Sequence, residues 1–182
     1  MVERVIERGR EPEPEETTSA YTFKWFRDRE TQLREGTVVI RGKDIRWEQN
    51  RQSVIKPYLN PANWSKWGSP EWMMFCNHIK KQSGKHVHQG GLGIFVLQGK
   101  GYTVVDGERF DWVKDDLIIL PVRPGGCEHQ HFNLDPDIPA VWLAITFVPF
   151  RMACGNEARQ KEFSPTFDGV EKFVAEPTQH VT

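Results

Sequence analysis

Six histidines are present, and four of them form two His-x-His pairs: His86 and His88 in "GKHVHQGG", His129 and His131 in "CEHQHFN". Imidazole titrates near neutral pH and ligates first-row transition metals. A spacing of two puts both rings on one side only if the backbone is extended, because side chains alternate along a strand. Two such strands facing one interior would gather four imidazoles. Convergent imidazoles in an apolar interior call for a metal ion, since uncompensated polar groups are costly to bury. One pair alone would read as a solvated strand face; two, each in a glycine-rich and strand-like setting, favour a metal. His78 and His180 have no histidine partner and read as surface or satisfied core residues.

The segments around the pairs read as strands. From Trp72 onward come "WMMFCNHI", "HVHQ", "GIFVLQG", "GYTVVDGERFDWV", "DLIILPV", "HQHFNL" and "AVWLAITFV", short runs bounded by turn residues. Asp106-Gly107 between "YTVV" and "ERFDWV" is a hairpin signal. Many short strands without helical crossovers point to an all-β sandwich or small barrel. Upstream, "EPEPEETTS" reads as an extended, mobile acidic arm over residues 1–20. Residues 21–71 hold the aromatic stretch "YTFKWF", the strand-like "GTVVIRG" and a loop with three prolines and three tryptophans, "KPYLNPANWSKWGSPEW". The barrel core is expected over 72–150. A C-terminal extension covers 151–182, with a short helix around "CGNEARQKEF".

Composition excludes several classes. The chain has 182 residues, room for one sizeable core and short for two domains. Lys+Arg (24) and Asp+Glu (25) nearly cancel, so there is no basic excess to hold nucleic acid. No apolar run is long enough for a membrane span, and the charged N-terminus has no signal-peptide core. Three cysteines (Cys76, Cys127, Cys154) without CxxC pairing suit reduced thiols in the cytoplasm.

The two histidine pairs lie in stretches that resemble the motifs of the cupin family. The first is His-x-His followed by a strand ending "VLxGxG", matched by His86, His88 and "FVLQGKG". The second is Pro-x-Gly-x-x-His-x-x-x-Asn, matched by Pro124, Gly126, His129 and Asn133. "DDLIILP" between them is similar to the usual Gly-Asp lead into the last metal-bearing strand, with Asp115 replacing the glycine. The resemblance implies a single jelly-roll barrel with His86, His88 and His129 as metal ligands. Most cupins add a glutamate after the first pair. Here Leu92 or Gly93 falls at that place, and Gly84 lies only two residues before His86.

Within the family, the three-histidine gentisate and salicylate 1,2-dioxygenases are similar in lacking that glutamate. They also share a hairpin like "GKGYTVVDGER" and a His-x-His in the second motif. They differ in carrying two cupin domains and an arginine where Ile94 and Phe95 stand. This likeness implies Fe(II), with manganese, nickel or zinc as alternatives, and His131 as a catalytic residue facing substrate or dioxygen. It also implies a small anionic substrate and a homodimer paired through the N-terminal strands. A metal-dependent isomerase, lyase or decarboxylase that uses no dioxygen stays open, as does a ligand-binding cupin without catalysis.

Other residues could touch the substrate. Gln89 follows His88 but by alternation faces away unless the glycines bend the strand. Arg123 could pair with a carboxylate or stay solvated. Trp112 or Trp142 could line the pocket. Cys127 shares the inward phase of His129 and reads as a buried structural thiol; Glu128 faces away.

Overall fold

Alternating burial along the strands builds the interior. The structure, a computed structural model, describes residues 17–155 and 158–177. In β5 (Leu92–Gln98), Leu92, Ile94 and Val96 are buried while Phe95 and Leu97 are exposed. In β10 (Ala140–Phe147), Ala140, Trp142, Ala144 and Thr146 point inward. This period of two gives each strand one core face and one outer face.

The remaining strands are β1 (Trp47–Gln49), β2 (Val54–Leu59), β3 (Trp72–Ile79), β4 (Lys85–His88), β6 (Lys100–Val105), β7 (Glu108–Val113), β8 (Leu117–Leu120), β9 (Cys127–Asn133), β11 (Arg159–Glu162) and β12 (Lys172–Val174). They form two facing sheets, ordered β12-β1-β2-β3-β10-β5-β8 and β11-β4-β9-β6-β7. All strand pairings are antiparallel. The fold is the expected all-β jelly roll, although its strands pair as two separate sheets and not as one closed ladder. Between the sheets lies a core of Ile79, Ile94, Val96, Leu120, Trp112 and Trp142 with their neighbours. The Asp106-Gly107 turn joins β6 to β7, both residues having positive φ (50° and 89°), as a two-residue hairpin of this hand requires.

The expectations for the flanks need correction. An 18-residue helix, α1 (Thr18–Glu35), occupies the aromatic stretch read as part of the N-terminal strands. Thr17 caps it, its hydroxyl accepting from the Ala20 amide. Residues 18–20 of the expected acidic arm belong to this helix, and residues 1–16 lie outside the described residues, as does His180. "GTVVIRG" is no strand: Thr37 makes one bridge to Trp67, and Val38 is 90% exposed. Gln32 on α1 donates to the carbonyls of Trp64 and Trp67, tying the helix to the tryptophan-rich loop.

At the other end the helix, α2 (Val148–Ala153), comes earlier than expected, with Pro149 in its first turn, where a missing N–H costs nothing. The "RQKE" stretch is β11, whose Gln160 pairs with His86 and covers the outer edge of β4. Among the described residues no helix is long and apolar enough to cross a membrane.

Candidate metal centre

Antiparallel pairing of β4 with β9 sets His86 opposite His129 and His88 opposite Cys127. The rings of His86, His88 and His129 gather with centroids 4.2–5.0 Å apart. One ligand nitrogen from each lies within 4.8 Å of the other two, and this is the one such cluster among the described residues. His88 and His129 are buried and His86 is half-buried. The cluster contains no carboxylate: Leu92, at the place where many cupins carry glutamate, is 4% exposed and packs in the core. Gly126 shapes the approach to β9, with φ of 85° and room for no side chain, since a Cβ would stand 2.9 Å from the His88 carbonyl.

Each ring of the cluster is oriented from behind. Nδ1 of His88 lies 2.7 Å from the Gln89 carbonyl, Nδ1 of His129 3.1 Å from the Cys127 carbonyl, and Nδ1 of His86 3.4 Å from the Gly84 carbonyl. A carbonyl only accepts, so each Nδ1 carries the proton and each Nε2 keeps its lone pair. Backbone anchoring of this kind is how metal-ligating histidines are held.

Burial depresses the basicity of all four interior histidines. It pushes His86 down to about 3, with the His88 charge adding to the effect, and His88 down to about 4, with Arg151 adding. His129 falls well below the usual range through burial, then through His86, His131 and His88. His131 falls to about 3 by burial and the charges of His86 and His88. All four rings are therefore neutral at pH 7, and the three facing lone pairs need shed no proton to bind a cation.

His131 lies beside the cluster, its ring centroid 5.6 Å from that of His129 and 4.9 Å from that of Trp142 on the opposite sheet. Its Nδ1 is 2.8 Å from the Thr103 hydroxyl, which also accepts from Nε1 of Trp112 at 3.0 Å. Trp112 thus stands behind His131 as part of the core, and Trp142 is the tryptophan in contact with it.

Two other expected contacts are committed elsewhere. The Gln89 amide donates to the carbonyls of Arg123 and Cys154 and accepts from the amides of Gly90 and Arg123. Those four bonds exhaust its capacity, so it ties loops together. Arg123 pairs with Asp106 across an exposed surface, its side chain 46% accessible. Cys127 is a fully buried core thiol, as expected. The charge missed in the sequence is Arg151 of α2, 4% exposed and close enough to depress His86 and His88. Nothing in its local sequence signals this, because the return of α2 onto the barrel brings it there.

Residues 77–146 match the cupin domain family. A gentisate 1,2-dioxygenase from Haloferax sp. is 27% identical over 92 residues, 50% of this chain and 24% of that protein. A gentisate 1,2-dioxygenase from Ralstonia sp. is 35% identical over 65 residues, 35% of this chain and 17% of that protein. The matched stretches thus span a quarter or less of these curated relatives. Among solved structures, the polyketide cyclase RemF from Streptomyces resistomycificus superimposes with a TM-score of 0.51 at 16% identity, covering 71% of this chain and 88% of that one. That likeness is one of fold.

Proposed function

With a cupin domain at the centre of the chain and three imidazoles gathered inside its jelly roll, we propose that this protein is a mononuclear non-haem Fe(II) dioxygenase. Its substrate class is a small hydroxylated aromatic acid, gentisate- or salicylate-like, or a related enolisable anion. The observation that carries this reading is the donor set: three neutral rings with Nδ1 tied to carbonyls and their ligand nitrogens within 4.8 Å of one another. Such a set fits a divalent first-row ion, and the lack of a carboxylate leaves the ion's full charge for an anionic ligand. His86, His88 and His129 would hold a divalent iron, which would supply redox chemistry next to a substrate anion.

In this reading His86, His88 and His129 hold the ion. His131 contacts the substrate or dioxygen from the same inward face of β9. Ile94, Val105 and Trp142 keep the interior apolar, which strengthens every polar contact made inside it. The two gentisate 1,2-dioxygenases among the relatives support the aromatic-acid class.

The test is anaerobic reconstitution with Fe(II), then dioxygen uptake on a panel including gentisate, salicylate and related hydroxy acids, with iron content measured in parallel. Uptake matching substrate loss, abolished together with iron in His129→Ala, is the expected result. Substrate conversion without dioxygen consumption would replace the reading with a metal-dependent isomerase, lyase or decarboxylase. Ligand binding untouched by chelation would make the protein a binding module.

A further inference from the structure

Four histidines share the interior, but their Nδ1 atoms face two kinds of partner. For His86, His88 and His129 the partner is a carbonyl oxygen, which leaves Nε2 unprotonated. For His131 it is the hydroxyl of Thr103, which can both donate and accept. Thr103 is fully buried. Its oxygen already accepts from the Trp112 indole N–H, a group that only donates. The hydroxyl proton needs an acceptor, and among the described residues the His131 Nδ1 lone pair is the one within reach. Were Nδ1 protonated, Thr103 would receive two N–H bonds while its own proton stayed buried with nowhere to go, an arrangement folded proteins avoid.

We propose that Thr103, fixed in turn by Trp112, holds His131 in the tautomer that carries its proton on Nε2, so that His131 enters the site as a hydrogen-bond donor and not as a proton acceptor. This rests on the reading of His131 as a substrate contact, and it deepens that reading by naming the chemistry recognised: an anionic oxygen. An Nε2–H beside a cation site, with Nδ1 turned away onto the Thr103 hydroxyl, suits a carboxylate or phenolate oxygen. The placement of Trp112 is built into the hairpin. Gly101 lies opposite it, and a Cβ there would stand 2.4 Å from its ring. Thr103 and Trp112 are thus positioning residues for His131.

The test reads the proton directly. Long-range 1H–15N spectra of histidine-labelled, zinc-loaded protein, with His131 assigned by its loss in His131→Gln, show which ring nitrogen is protonated. Nε2–H in the wild type and in Thr103→Ser is the expected result. Nδ1–H in either one overturns the proposal. In the dioxygen assay Thr103→Val should lose at least about tenfold in kcat with KM and iron content unchanged, and Thr103→Ser should recover it. An Nε2–H spectrum with no dioxygen uptake on any acid would leave the tautomer standing and remove the dioxygenase.

Discussion

Acidification should unfold the metal-free protein through its interior histidines. His88, His129 and His131 are each at most 8% exposed, and burial holds their folded pKa values far below the unfolded value of about 6.5. The unfolded chain therefore binds more protons, and stability present above about pH 6.5 is lost as pH falls toward the folded values. Between about pH 7.5 and about pH 5 the loss depends only on the unfolded pKa, since the folded rings stay neutral throughout. It amounts to about 2 kcal/mol per ring, or about 6 kcal/mol for the three. His86 acts in the same direction, but its half-buried ring is softened by water. A loss of that size rivals the whole stability of an ordinary domain. Urea titrations followed by tryptophan fluorescence, at steps across this range, read it as a falling midpoint at constant slope. His131→Gln should remove one ring's share, about 2 kcal/mol of the pH-dependent loss. A midpoint flat from about pH 7.5 to about pH 5 would show that the rings are charged or hydrated in the folded state, and would refute the neutral-cluster argument.

Replacing His86, His88 or His129 with alanine should empty the metal site while the jelly roll still folds, checked by metal analysis beside far-ultraviolet circular dichroism; full metal content in His129→Ala would remove it from the ligand set. Gly101→Ala should cost at least about 2 kcal/mol, because its Cβ would stand 2.0 Å from the Phe132 carbonyl and 2.4 Å from Trp112; an unchanged Tm and near-ultraviolet spectrum would contradict the packing. Gln89→Ala should lower stability by about 1–3 kcal/mol by stripping backbone groups of Gly90, Arg123 and Cys154 of their partner, with metal content preserved. Loss of metal at unchanged stability would instead make Gln89 a ligand.

What the sequence determined by itself is local geometry. His-x-His on an extended chain places both rings on one face whatever the rest of the molecule does, and Asp106-Gly107 can make its tight turn from two residues alone. Alternation along β5 and β10 likewise marks the inward residues, including Trp142. Thr17 and the eighteen residues after it without glycine or proline also carry a local helix signal, which the strand-based reading of the N-terminal region passed over. Only the tertiary structure decided which rings meet. The register of β4 on β9 sets His86 against His129, and that of β6 on β9 sets Thr103 against His131. The carbonyls behind three Nδ1 atoms come from residues one or two places along the same segment, whereas the hydroxyl behind the fourth is brought by the pairing of β6 with β9. Gln89 became a loop tie and Arg151 a neighbour of the cluster because chain segments far apart in sequence fold back on them. Such contacts depend on how strands align across the sheets, and residue spacing along one segment carries no information about the segment that will lie beside it.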